Sequence, residues 1–220
     1  MREKIAEIFT IAEDNVPIEG CTVSKQTFES ENASITHFSL GKDTDISPEH
    51  YPCPALLIGA SNDTQILLRR EKDEVFTLSR ADCIVIEAGL NFGTKGGKHG
   101  AVYTQITLPE ETQMQNIELN KIFALADLVP YAEGKIVNKD VVRNKNLKFV
   151  VMSFDDGCSL GQHSAPGEAM VFALEGKAEI FYEGKTYPIK AGENFVFEKN
   201  GKHDVKAVGK FKMALLLTLE

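Results

Sequence analysis

Residues 161–176 read GQHSAPGEAMVFALEG: a histidine and a Pro-Gly break, then an apolar run with β-branched and aromatic members that ends in a glycine turn. A run this short, closed by glycine, reads as a strand. Its neighbours repeat the pattern: KFVVMSF (148–154), AEIFYEG (178–184), ENFVFEK (193–199) and KMALLLTL (212–219). EGK at 183–185 has the composition of a hairpin turn, and KAGE at 190–193 that of a second. Helix is scarce. Its one candidate is Arg2 to Ala12, where Ile5, Ile8 and Phe9 share a face at helical spacing. Many short strands without alternating helices predict an all-β chain, an antiparallel barrel or sandwich.

Outward from that stretch the chain repeats itself. Shifted by 114, IFTIAEDNVPIEGCTVSK (8–25) lies over IFALADLVPYAEGKIVNK (122–139), matching Phe9 to Phe123, Gly20 to Gly134 and Lys25 to Lys139. The same shift carries Ser39 onto Ser153, Pro52 onto Pro166 and Ala55 onto Ala169. It also sets Phe9 and Ile11 in an extended segment, against the helix. Farther on the shift becomes 111, with VFTLSRADCIVIE (75–87) over TYPIKAGENFVFE (186–198) and YTQITL (103–108) over ALLLTL (214–219). Two homologous halves follow, 1–112 and 113–220, joined through the polar, acidic stretch PEETQMQNIE (109–118).

Composition narrows the function. The 220 residues are 43% hydrophobic, enough to bury a substantial core. No apolar window of about 18 residues or more is present, and the first residues are charged throughout, so the chain reads as cytoplasmic and without a membrane span. A net charge of −8 leaves no basic field for nucleic acid or anionic membranes. Cys21, Cys53, Cys83 and Cys158 form no CxxC pair and read as free thiols. Small molecules or proteins remain as partners.

The second half resembles a cupin. The family's first motif, a glycine followed by two histidines and an acid before a closing glycine, is represented here by Gly157, His163, Ala165 and the LEG turn ending at Gly176. Its second motif is represented by Gly184, Ile189, Gly192 and NGKH, which ends at His203. Through the repeat the resemblance extends to the whole chain and implies a bicupin: two tandem jelly-roll (double-stranded β-helix) barrels, either a monomer with pseudo-dimeric barrels or a homodimer. It also implies a site for a divalent transition ion, from which much is missing. Ala165 stands for the second histidine, and the acidic position falls on Ala169. Strand alternation points Ala169, Val171 and Ala173 into the barrel and Glu168 outward, unless a bulge at Pro166-Gly167 turns Glu168 in. The transferred metal set is therefore His163, His203 and Glu168.

In the first half the motif positions hold Glu49, Tyr51, Ala55 and Phe92, so that copy has lost the site and serves to cover the strand edges and apolar face of the second. His50 is one residue out of register, and His99 sits in TKGGKHG (94–100), which reads as an exposed turn. Three readings of His163 and His203 stand side by side. They hold a weakly bound divalent ion, they act as hydrogen-bonding or proton-transfer groups in a metal-free pocket, or they are relics in a structural barrel. The small residues Ala165, Ala169 and Ala173 suggest a hollowed interior that admits a small polar molecule, with Tyr182 also facing the space. An enzyme and a noncatalytic binding or structural module both fit.

Overall fold

The computed structural model describes residues 1, 3–30, 33–109, 112–114 and 117–219. Arg2 of the expected helix and residues 110, 111, 115 and 116 of the expected linker lie outside the described residues. One turn of helix, α1 (Ile11–Asp14), precedes β1 (Thr22–Glu29), β2 (Ser34–Leu40), β3 (Asp45–His50), β4 (Ala55–Gly59), β5 (Thr64–Arg69), β6 (Glu74–Leu78), β7 (Asp82–Ile86), β8 (Asn91–Gly96) and β9 (Ala101–Thr107). Then come β10 (Gln113–Met114), β11 (Ile122–Ala124) and a 3-10 turn (Leu125–Leu128). The second half continues with β12 (Ile136–Arg143), β13 (Leu147–Phe154), β14 (His163–Ser164), β15 (Ala169–Glu175), β16 (Lys177–Tyr182), β17 (Lys185–Lys190), β18 (Asn194–Phe197), β19 (Lys202–Ala207) and β20 (Phe211–Thr218).

The strands form two barrels of the jelly-roll type, each a six-stranded sheet facing a four-stranded one. In the first half the orders are β1-β2-β9-β4-β7-β11 and β3-β8-β5-β6; in the second they are β10-β12-β13-β20-β15-β18 and β14-β19-β16-β17. Strand for strand, the repeat maps one order onto the other, apart from the short edge strands β10 and β11. Under the shift of 114, α1 also falls on the 3-10 turn. The last strand needs a correction. Ala55 pairs with Thr107 and Ala169 with Leu217, so β9 maps onto β20 with a shift of 110, not 111. A one-residue slip exchanges the two faces of a strand, and only this register puts Ile106 and Leu216 in the same core.

Three layers of apolar side chains result. One fills each barrel, and the third lies between the two six-stranded sheets, where Leu56, Ile58 and Ile106 of the first half meet Phe149, Met170 and Phe172 of the second. Each such side chain, fully buried, contributes about 1.5–3 kcal/mol. This explains why β4 and most of β15 are buried on both faces: Leu56 and Met170 serve the shared layer, while Leu57 and Val171 serve their own barrels.

The halves also exchange edges. β11 pairs with β7, placing Phe123 opposite Cys83, and reciprocally Phe9 bridges to Asn194 and Ile5 to Val196 of β18. These bridges overturn the helix expected over Arg2–Ala12. Phe9 N–H donates to Asn194 O at 3.1 Å, and Phe9 O accepts from Asn194 N–H at 2.7 Å, so pairing with a distant strand prevails over a short amphipathic pattern that could not sustain a helix alone. The division at 112/113 is likewise crossed, since Asn120 N–H donates to Val85 O at 2.7 Å although Asn120 lies on the second-half side. Both otherwise open strands, β7 and β18, are thereby covered. Among the described residues no helix is long and apolar enough to cross a membrane.

Candidate functional site

The two-residue strand β14 pairs with β19 so that His163 stands directly opposite His203. Along β19, His203, Val205 and Ala207 point into the barrel, while Lys202, Asp204 and Lys206 point away, as the period of a strand requires. His163 is exposed at the mouth; His203, 3% exposed, lies just beneath. Their ring centroids are 4.3 Å apart.

Each imidazole is oriented by its own backbone. Nδ1 of His163 lies 2.9 Å from Gly161 O, and Nδ1 of His203 lies 2.9 Å from Gly201 O. A carbonyl oxygen only accepts, so each Nδ1 carries the proton, and in the neutral rings both Nε2 atoms keep free lone pairs. The turn before His203 is shaped for this: Asn200 has a φ of +65°, and a Cβ on Gly201 would stand 2.6 Å from the Tyr182 ring. Phe197 stacks on His203 at 4.0 Å with the planes 19° apart. Burial lowers the His203 pKa below the ordinary histidine value; the Gly201 carbonyl opposes the shift, and His163 adds to it. Near neutral pH His203 is therefore an uncharged acceptor.

The remaining expected residues do not gather around this pair. Glu168 keeps its outward orientation, its carboxylate paired with the Met1 amino group and its carbonyl accepting from Thr218 N–H at 2.9 Å. Gly167 is pressed so closely on Thr218 that a Cβ there would lie 1.4 Å from its carbonyl oxygen. Ala165 is buried, and its carbonyl accepts from Asn200 N–H at 2.9 Å. Ala169 and Ala173 do face the barrel, but the space around them is filled by Phe154, Phe195, Phe197 and Phe211 of the same core, where a hollow was expected. Tyr182 is opposite His203 in register, yet it is buried against Phe195 and Phe197, and its hydroxyl accepts from Glu198 N–H at 3.3 Å.

Among the described residues no three His, Cys, Asp or Glu side chains converge so as to hold a metal ion. Two imidazoles with no carboxylate beside them fall short of the three or more protein ligands usual for a divalent transition ion. The donor set does not fit a resident metal, and Glu168 is withdrawn from it.

The first half answers position for position. Glu49 stands opposite Phe92 where His163 stands opposite His203, and Tyr51 stacks on Phe92 at 4.1 Å. His50 is exposed, with Nδ1 3.3 Å from Asn91 Oδ1. His99 is exposed as expected, although Thr94–Gly96 of its supposed loop are the end of β8. Sequence reasoning overlooked His37, a buried imidazole on β2; its signal was a polar residue inside the apolar pattern SITHFSL (34–40).

Fold and site define an all-β double barrel with an imidazole pair at the mouth of one barrel. The cupin domain family matches residues 150–219. A cupin 2 conserved barrel domain protein from Leptotrichia buccalis is similar end to end, 30% identical over 99% of this chain and 98% of that one, with a TM-score of 0.85. The chain belongs to the cupin superfamily. It is also 32% identical, over 73 residues, to L-ectoine synthase of Saccharophagus degradans, and spans about half of that protein's length, 55%. Oxalate decarboxylase of Bacillus subtilis, 12% identical over 98% of this chain and 78% of its own, with a TM-score of 0.56, shares the fold alone.

Proposed function

We propose that the chain is a bicupin whose C-terminal barrel binds a small polar molecule at its mouth, between His163 and His203. The observation that carries this reading is the pair of opposed imidazoles with both Nδ1 atoms tied to carbonyls and both Nε2 lone pairs free. Such a pair accepts protons, so it suits a ligand that offers a hydroxyl, amine or amide, and it can serve as a hydrogen-bond acceptor or a general base. The N-terminal barrel is the degenerate copy, with Glu49 and Phe92 at the matching positions, and its role is to cover the apolar sheet of its partner. The shared layer inside one chain supports a monomer that is its own pseudo-dimer.

A thermal-shift screen of small hydroxy and amino metabolites, run on the parent, His163→Ala and His203→Ala, tests the reading. Either variant is expected to weaken a ligand found for the parent by about tenfold or more, the worth of one or two hydrogen bonds. A ligand held equally by all three proteins rejects the site. The filled interior favours one alternative, a noncatalytic structural or sensor module with a vestigial pair, for which the screen returns no ligand and both variants melt as the parent does.

A further inference from the structure

A cavity of about 220 Å³ lies between the two halves, outside both barrel interiors. Its walls are mainly apolar: Ile11 and Ala12 of α1, Ile58 and Ala60 at the end of β4, Phe172 and Leu174 of β15. Positions 58 and 172, like 60 and 174, are repeat equivalents, so the cavity sits where the two copies face each other. An apolar cavity of about 150 Å³ already accommodates benzene, so this one has room for a body of about six carbons and a polar head.

Polar groups also reach it. Arg80, from the turn between β6 and β7, crosses to the other half and donates from Nη2 to Ala191 O at 3.1 Å. A Cβ on Gly192 would lie 1.2 Å from that Nη2, so the missing side chain at 192 is what seats the guanidinium at the cavity. Arginine has five N–H donors in a planar fork, which suits a carboxylate. Glu193 also lines the cavity, but its Oε2 accepts from Lys190 N–H at 2.9 Å and its Oε1 lies 3.7 Å from Lys190 Nζ. Thr104 adds a hydroxyl, 2.8 Å from Nδ1 of His37, whose Nε2 lies 3.2 Å from Glu3 Oε1. The His37 and Glu3 side chains are 0% and 2% exposed, a buried chain of polar groups leading to the cavity wall.

These polar residues are where the copies differ. Arg80 corresponds to Ala191, His37 to Val151 and Thr104 to Ala214, with the last pairing fixed by the strand register. Two of these departures from the apolar residue of the other copy, Arg80 and Thr104, line the cavity, and His37 stands behind Thr104 as its hydrogen-bond partner.

We propose that this inter-barrel cavity is a second binding site, one for a small monocarboxylate with an apolar body of about six carbons, the carboxylate on Arg80 and the body between Ile58 and Phe172. The site is separate from the imidazole pair and does not depend on its ligand.

Calorimetric titration of the full chain with hexanoate and with hexan-1-ol tests it. Saturable one-to-one binding of hexanoate is expected, with the alcohol weaker by about tenfold or more because it lacks the charge-assisted bonds. Arg80→Gln should reduce hexanoate to the level of the alcohol, and Ala60→Leu, which carries the residue of the other copy into the cavity, should abolish binding of both. Arg80 is exposed, so its variant should melt as the parent does; should Ala60→Leu fail to fold, Ala12→Leu takes its place. Hexanoate bound no more tightly than hexan-1-ol, binding undiminished in Arg80→Gln, or no saturable binding to the parent overturns the proposal.

Discussion

Replacing Ala169 with leucine separates a filled barrel from a hollow one by the sign of its effect on stability. Ala169 is 0% exposed and is paired with Phe197 on one side and Leu217 on the other. The aromatic rings of its core already touch one another, with centroids 5.1 Å apart for Phe195 and Phe197 and 5.8 Å for Phe154 and Phe211. The added carbons must therefore displace rings from their rotamers, which costs about 1–3 kcal/mol. For a chain of this length each kcal/mol lowers the melting temperature by about 2–4 °C, so the expected drop is about 2–12 °C. In a hollow barrel the same carbons would enter empty space and stabilise by about 0.8 kcal/mol per buried CH₂. Scanning calorimetry on the two proteins at one pH measures the difference. A melting temperature unchanged or raised in Ala169→Leu would refute the filled interior, and with it the placement of the ligand at the mouth.

Acid should act through His203. Burial holds its folded pKa below that of the unfolded chain, so between the two values the unfolded state binds the extra proton and stability falls as pH is lowered. The contribution is complete above the ordinary histidine value of about 6.5 and is lost as pH drops below it; the melting temperature of His203→Ala should fall less than that of the parent over that range, and parallel curves would contradict the assignment. A fragment spanning 119–220 should be insoluble or newly dimeric, because it exposes Phe149, Met170, Phe172 and Leu216 of the shared layer. Sedimentation of a soluble monomer would show that the first half is dispensable to the second.

The repeat was legible because it preserves positions whose environment is the same in both copies: turn glycines such as Gly20 and Gly134, which share a positive φ, and the strands of the shared layer. The opposition of His163 and His203 could be expected from motif spacing, since strand pairing converts spacing directly into contact. Three features were hidden for a common reason: each depends on a long-range neighbour. Ile5 and Phe9 have helical spacing but pair with β18. Ala169 is small because phenylalanines from β13, β18 and β20 converge on it, and smallness along one strand does not reveal what fills the other side. The slip in β9 lies in the turn before it, where the apolar run of β20 matches in either register and only the cores decide between them.

The two copies differ in where they carry polar groups, at the barrel mouth and on the shared face. At the barrel mouth the first copy places Tyr51 flat against Phe92, closing with stacked rings the position that the second copy leaves to two imidazoles. A ring pair of that kind adds about 0.5–1.5 kcal/mol beyond its burial, so exchanging imidazoles for it trades a polar site for stability. On the shared face the direction is reversed. There the second copy is apolar at Val151 and Ala214, and the first copy buries His37 and Thr104 with their mutual hydrogen bond intact. A buried imidazole and hydroxyl must be paired to avoid a desolvation cost; Thr104 pairs with Nδ1 of His37, while Nε2 approaches Glu3 Oε1 at 3.2 Å without completing a hydrogen bond, and Lys25 bonds the other oxygen of Glu3. Each copy thus carries one polar feature the other lacks: the imidazole pair on the four-stranded sheet of the second copy, and His37 with Thr104 on the six-stranded sheet of the first. Between these features lies β15, whose Ala173 belongs to the inner core of the second barrel and also lines the inter-barrel cavity.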